Sequence, residues 1–296
     1  MHNFNFSEPN HNDCLAQIKK GTHERKRNFI ESKSDELRLA HDQYDSYAEK
    51  GELNRLTSAY MNPGERDSNS DSDYWTAYDL YGSKVRYVAE HWAALKKQNG
   101  DRVLKCPICG LADCTEMDHF APRSKFPEHS CHLSNLIPLC HNCNNNKGDD
   151  WLNNSGEQIF FNAFYDRNIP ESIIKCDFEI SEADNLIRAK VSFSEHLDNR
   201  IPEHRRIKET IGTLRLMDKF EYEANNVLNR EAKRFIARFV ENRERYENIE
   251  EFFSAYIKEI NRYLEKDGDF IEKEVLRAII SSEEFRTFIS NQLDEE

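Results

Sequence analysis

Two Cys-x-x-Cys pairs, Cys106-Pro-Ile-Cys109 and Cys140-His-Asn-Cys143, offer four thiolates on two turn-forming segments. Such a set matches a closed tetrahedral structural zinc site, and the spacing suits metal binding better than disulfides in a reducing compartment. Cys14, Cys114, Cys131 and Cys176 are scattered. The gap from Gly110 to Leu139 exceeds the roughly 15 to 20 residues of an ordinary zinc ribbon, so the two knuckles are expected to bracket something more. Within it stand Glu116-Met117-Asp118-His119-Phe120-Ala121-Pro122 and Ser134-Asn135-Leu136-Ile137-Pro138-Leu139, and directly after the last cysteine Asn144-Asn145-Asn146-Lys147.

These three runs resemble the HNH nuclease family, whose pattern is an acidic-His pair on a first strand, a central Asn or His, and a final Asn or His opening a helix. The resemblance covers residues 103–151. It implies a ββα-metal core in which Asp118 is a ligand of the catalytic ion and His119 the general base. It gives Asn135 the task of tying down the loop that orients the histidine, and makes Asn144 the second protein ligand. Physical chemistry supports the same arrangement. Phosphodiester hydrolysis needs a water deprotonated in line with the leaving oxygen, and a cation to absorb charge on the phosphate. Histidine suits the first task near neutral pH, so activity is expected to fall as pH drops through the histidine range. A carboxylate with an amide oxygen, leaving positions open for water and phosphate, suits Mg²⁺ or Mn²⁺ better than zinc. The catalytic ion and the structural Zn²⁺ are therefore expected at different sites. Asn144 at a helix start and Lys147 one turn on are placed to meet a phosphate.

Other residues have plainer readings. His129, Cys131 and His132 lack a fourth partner at ligand spacing and are expected on the loop between the strands and the helix. His141 reads as a surface residue. Lys19, Lys20, Arg25, Lys26 and Arg27 form a basic patch that suits nucleic acid and a solvated helix face about equally.

The elements that must position the site are mainly helical. The expected fold is α+β, mainly α: a central ββα-metal core with structural zinc and a small β-hairpin, flanked by N-terminal helices and a C-terminal helical bundle. Residues 1–98 form the N-terminal helical region, 99–195 the nuclease domain with its hairpin extension, and 196–296 the C-terminal helical domain. In the first region Leu37, Tyr44, Tyr47, Leu53 and Leu56 lie at loosely helical spacing, and Asn62-Pro63-Gly64 to Asp73 reads as a linker or loop. From Tyr74 to Lys97 the residues Trp75, Tyr78, Tyr81, Val85, Val88, Trp92 and Leu95 predict one helix. Short β-rich runs follow at Ile159-Phe160-Phe161, Ile173 to Ile180 and Leu186 to Phe193, the last two spaced as a hairpin around Glu182 to Asn185.

The net charge of −13 argues against tight binding of nucleic acid by the chain as a whole. Between Arg200 and Val240, however, bases outnumber acids, and Arg205, Arg206 and Lys208, with Lys147, are the expected backbone contacts. No run approaches the roughly 18 apolar residues of a spanning helix and the N-terminus lacks the basic-then-apolar order of a secretion signal, so membrane residence is not expected and a cytoplasmic location is.

The run from Asp118 to Pro127 and on to Asn135-Leu136-Ile137-Pro138 also looks like a subgroup of bacterial HNH proteins in anti-phage defence. That group includes the nuclease subunit of Septu-type pairs, which works beside an ATPase. The resemblance therefore implies a DNA endonuclease acting with a partner protein such as that ATPase, or as a homo-oligomer. The alternatives are a zinc-stabilised nucleic-acid or protein-binding module without catalysis, and an RNA-cleaving enzyme with the same site.

Overall fold

The computed structural model describes residues 1–5, 11–60, 72–82, 86–100, 103–181, 186–266 and 268–294. The chain divides into two units, residues 1–169 with 199–214, and residues 170–198 with 215–296. The fold is α+β and mainly helical, as the sequence predicts, with two small two-stranded antiparallel sheets. Among the described residues no helix is long and apolar enough to cross a membrane.

In the first unit α1 (His11–Gly21) and α2 (Glu24–Glu49) pack against each other. Ile30, Leu37, His41, Tyr44 and Ala48 advance by three, four or seven residues and are buried on one stripe of α2. The single helix predicted over 74–97 is two in the structure, α3 (Asp73–Tyr78) and α4 (Arg86–Gln98). Ser72 caps α3 by accepting the Trp75 N–H at 3.3 Å. The chain leaves the helix through Leu80, Tyr81 and Gly82, where glycine is a poor helix residue and burial of Leu80 outweighs continued periodicity. Val85, the linker segment 61–71 and the hairpin turn 182–185 lie outside the described residues.

One apolar cluster joins these helices to the central segment. It contains Leu15, Ile18, Phe29, Leu37, Tyr74, Leu80, Tyr87, Cys131, Leu133 and Leu136. The N-terminal helices therefore share a core with the segment that the sequence sets apart as the nuclease domain, through Leu133 and Leu136, which precede and open the strand Leu136–Leu139.

His91 of α4 is buried, and its Nε2 donates to the Leu136 carbonyl at 3.3 Å. Burial pushes its pKa down to about 4 from 6.5. A depressed histidine pKa means that the unfolded chain binds the proton more tightly. Stability is thus fully present above about pH 6.5 and lost as pH falls towards 4, by up to about 3 kcal/mol from this residue. Denaturant midpoints measured between pH 8 and 4 should show that loss. His91→Gln, whose amide keeps a donor without titrating, should make the slope shallower, and an equal slope in the two proteins would remove His91 as its source.

The run Ile159-Phe160-Phe161 is not a strand. Its backbone is satisfied from elsewhere: Ile159 N–H donates to Trp151 O at 3.1 Å, and Phe161 N–H to Thr210 Oγ1 at 2.8 Å. Thr210 lies on α6 (Pro202–Thr213), which groups with the first unit rather than with a C-terminal domain.

The second unit holds the hairpin. Strands β3 (Ile174–Ser181) and β4 (Leu186–Phe193) pair from Ile174↔Phe193 to Ser181↔Leu186. Ile174, Cys176, Phe178, Ile187 and Ala189 face inward, onto α7 (Leu216–Glu241), α9 (Phe270–Ser281) and α10 (Glu283–Asp294). The hairpin is thus a platform for the C-terminal helices, where the sequence division attached it to the nuclease domain. Asn225 of α7 pins β4 by accepting the Ala189 N–H at 2.9 Å and donating to its carbonyl at 3.0 Å. Helix α8 (Ile249–Leu264) completes the layer, with Phe235 and Phe253 in the core.

Candidate active site

Strands β1 (Glu116–His119) and β2 (Leu136–Leu139) pair antiparallel, Asp118 opposite Ile137 and His119 opposite Leu136, and α5 (His141–Lys147) follows at once. Strand alternation puts Glu116 and Asp118 on one face of β1. Helical spacing of three puts His141, Asn144 and Lys147 on one side of α5. The two sets meet: Glu116 Oε1 lies 2.7 Å from His141 Nδ1, Glu116 Oε2 accepts from Asn144 Nδ2 at 2.5 Å, and Asp118 Oδ2 lies 2.9 Å from Lys147 Nζ.

Glu116 is a site residue to which the sequence analysis gave no role, although its place two before Asp118 on a strand was signal enough. A carboxylate only accepts, so it must face the amide NH₂ of Asn144, which leaves Asn144 Oδ1 as the oxygen available to a cation. Its bonds from Asn144 and His141 hold its pKa below the usual range, so it stays ionised. Asp118 is buried, and burial pushes its carboxyl up while Lys147 pulls it back. Asp118 and Asn144, expected as joint ligands, have different protein partners in this structure, Lys147 and Glu116 respectively.

His119 leaves β1 on the other face. Its Nε2 is 2.8 Å from the Ser130 carbonyl, which can only accept, so the proton sits on Nε2 and Nδ1 carries the lone pair. The ring meets Tyr81 edge-on, centroids 4.5 Å apart. Ser130 is fixed in turn by its hydroxyl, which donates to Ala77 O at 2.6 Å. Asn135, fully buried, accepts the Ala121 N–H at 2.7 Å and donates to Ala121 O at 3.0 Å and His129 O at 3.2 Å. One amide therefore ties the chain just after His119 to the loop whose carbonyl holds its ring. Burial, with Arg123 and Lys147 adding positive charge, pushes the His119 pKa down to about 3 against the opposing Ser130 bond. The ring is then neutral throughout pH 5 to 8, so the expected loss of activity in the ordinary histidine range does not follow from this residue.

The four knuckle cysteines are buried, and their sulfurs all lie within 4.8 Å of one another. Cys109 and Cys140 are 3.9 Å apart, close to the ~3.8 Å edge of a tetrahedron with 2.3 Å Zn–S bonds. All four are free thiols. Gly110, at φ +69°, turns the first knuckle, and its N–H donates to Cys106 O at 2.8 Å. Cys140 is the N-cap of α5, so the second knuckle and the helix that carries Asn144 are one element. The site can hold zinc. Among the described residues no second group of three or more His, Cys, Asp or Glu ligands converges in this way. His129, Cys131 and His132 are all buried: Cys131 belongs to the apolar cluster, while His132 Nε2 meets Asp45 Oδ1 at 2.9 Å and the His132 ring stacks on His41 at 4.4 Å, with His129 beside them. His141 is exposed, as expected.

Lys147 corrects the sequence reading. It is buried, its ammonium bound to Asp118 and to His119 O at 3.1 Å, so it meets the site's own carboxylate rather than a phosphate in solvent. Arg206 is a second correction. It is buried against Asp166, with Nε to Oδ2 at 3.0 Å and Nη2 to Oδ1 at 2.5 Å. Arg206→Ala should destabilise the first unit by about 3–5 kcal/mol, because Asp166 would keep a buried charge without its cation. Denaturation run beside DNA titration separates this from a binding defect, and unchanged stability with weakened binding would restore the original role.

Arg205 and Lys208 do reach the surface, lining a cleft of about 470 Å³ with Asn54, Asn153 and Asn199. On α7 the arginines are paired within the second unit: Arg230 with Glu272, Arg234 and Arg238 with Glu259. The basic excess over 200–240 is therefore largely neutralised in the fold. In the N-terminal patch Lys19 pairs with Glu31 at 2.8 Å, and Arg25 Nη2 donates to Thr76 Oγ1 at 2.8 Å.

Residues 106–150 match the HNH endonuclease family model. That segment spans the knuckles, both strands and α5, and it supports a metal-dependent nuclease, a hydrolase in general terms. No curated protein and no solved structure matches the chain.

Proposed function

We propose that this chain is a metal-dependent DNA endonuclease that uses His119 as general base. The observation that carries the reading is the setting of His119: Nε2 spent on Ser130 O, Nδ1 left as acceptor, and a buried carboxylate one residue earlier. Nδ1 would take the proton from the attacking water, while Ser130 and Asn135 keep the ring in one orientation and tautomer. Asp118 and the Asn144 amide oxygen would make a hard, all-oxygen donor pair, which fits Mg²⁺ or Mn²⁺ with most positions left to water and phosphate. Such an ion, when bound, would supply charge stabilisation at the phosphate. The four thiols fit Zn²⁺ as a structural ion, a separate task.

A partner protein follows from charge rather than from the site. The chain carries −13, and most of its clustered arginines are already paired, so DNA affinity at physiological salt is expected to be weak unless something delivers the substrate. An ATPase-type defence subunit is the partner implied by the local resemblance of residues 118–138. Cleavage of supercoiled plasmid at low salt, with Mg²⁺ or Mn²⁺ and with EDTA, tests the activity. Nicking that requires the ion supports the reading. Metal-dependent cleavage of RNA with DNA left intact would replace the substrate, and binding without cleavage of either would reduce the protein to a zinc-stabilised binder.

A further inference from the structure

Arginines in this chain are mostly spent on carboxylates, as expected where 54 acids face 41 bases. Arg123 differs. Its guanidinium lies over the Tyr78 ring at 4.2 Å and over Tyr81 at 5.6 Å. No described residue accepts a hydrogen bond from it or forms an ion pair with it. Stacking satisfies the cation through its flat face and leaves its N–H donors without an acceptor among the described residues. The side chain is half-buried, so this is not a solvated arginine on a helix surface.

The backbone beneath it is held on both sides. Ala121 is bound twice by Asn135, Pro122 O accepts from Lys125 N and Phe126 N at 2.9 Å each, and Ser124 O accepts from Tyr74 OH at 2.7 Å. Tyr81 is the link to the chemistry, because its ring touches the guanidinium on one side and His119 on another. The positive charge of Arg123 is also among those felt by His119.

We propose that Arg123 is the phosphate-binding cation of the site, held by Tyr78 and Tyr81 beside His119 so that its free N–H fork receives a nucleic-acid backbone phosphate. Planar, bidentate recognition of phosphate is what a pre-stacked guanidinium does better than an ammonium. The assignment rests on the nuclease reading for its substrate, and it fills the role that buried Lys147 cannot.

Three proteins test it: the full chain, Arg123→Ala and Arg123→Lys. Binding is read with a short fluorescein-labelled DNA duplex in the His119→Ala background over a range of salt, and cleavage with the plasmid assay. Arg123→Ala should lower kcat/KM by roughly 10- to 100-fold, as expected for a lost charge-assisted pair. It should also lower the salt slope of binding by about one. Zinc content and the unfolding midpoint should stay near wild type, Arg123→Lys should recover only part of the loss, and added guanidinium ion should partly restore Arg123→Ala. Wild-type cleavage with an unaffected Arg123→Ala overturns the assignment and leaves the nuclease reading standing. Binding that loses its slope in Arg123→Ala, in a chain that never cleaves, keeps the phosphate contact and removes the nuclease. A chain that neither binds nor cleaves overturns both, and a loss of activity matched by loss of stability and insensitive to guanidinium makes Arg123 structural.

Discussion

His119→Ala is expected to cut the cleavage rate by about 10²- to 10⁴-fold, with zinc content, unfolding midpoint and DNA binding close to wild type. The size follows from removing one positioned proton acceptor. The selectivity follows from the ring's few structural duties: one bond to Ser130 O and one edge contact with Tyr81. Losing a single hydrogen bond of this kind costs on the order of 1 kcal/mol, small beside the several kcal/mol of barrier that the base removes. Because the His119 pKa is pushed down to about 3, the wild-type rate should show no titration of this residue between pH 5 and 8. Plasmid nicking at saturating metal, compared between the two proteins across that window, checks both points. Wild-type rates in the alanine variant would remove His119 from the mechanism. A fall in wild-type rate that titrates near 6.5 would mean that the ring is more solvated than its packing implies.

The parts of this site legible in the sequence are those whose partners are close along the chain or follow a fixed period. The cysteine pairs announce a common ion because each pair is one turn, and the structure brings all four sulfurs together. Asn135 lies 14 residues from Ala121, and its place in the pattern anticipated the tie that its amide makes. The alternation of 174–181 and 186–193 gives a hairpin because inward and outward residues differ in polarity.

What was not legible depends on contacts across long stretches of chain. Nothing local says that the hairpin serves α7, α9 and α10 rather than the nuclease segment, or that α6 returns to place Arg206 on Asp166. A lysine one turn after a metal-ligand position reads as a phosphate contact until Asp118 is seen to hold it. The aromatic run from 74 to 81 has helical period, yet Tyr81 lies beyond the end of α3 and packs on His119, a choice made by tertiary contact. Glu116 could have been found, since period two from Asp118 and period three along His141, Asn144 and Lys147 already define two facing sets.

The second large effect is expected from Cys140→Ser, which should release zinc and unfold the segment around residues 103–151. Zinc bound by four thiolates contributes an apparent ~10–16 kcal/mol in small zinc-finger peptides, comparable to the whole ~5–15 kcal/mol stability of a domain. A serine hydroxyl stays protonated at neutral pH and is a poor substitute ligand. Cys140 stands at the start of α5, so losing the ion also removes the anchor of the helix that carries His141, Asn144 and Lys147 against Glu116 and Asp118, although serine is itself a good N-cap residue. Activity should therefore vanish by loss of the fold, whereas in His119→Ala it vanishes with the fold intact. Metal analysis and hydrogen exchange distinguish the two. In Cys140→Ser, amides of β1, β2 and α5 should lose protection, while those of the β3–β4 hairpin, in the other unit, should lose far less. Wild type purified without zinc, together with unchanged protection of the first set in Cys140→Ser, would mean that the four thiols pack as an apolar cluster and that the ββα element stands without a metal.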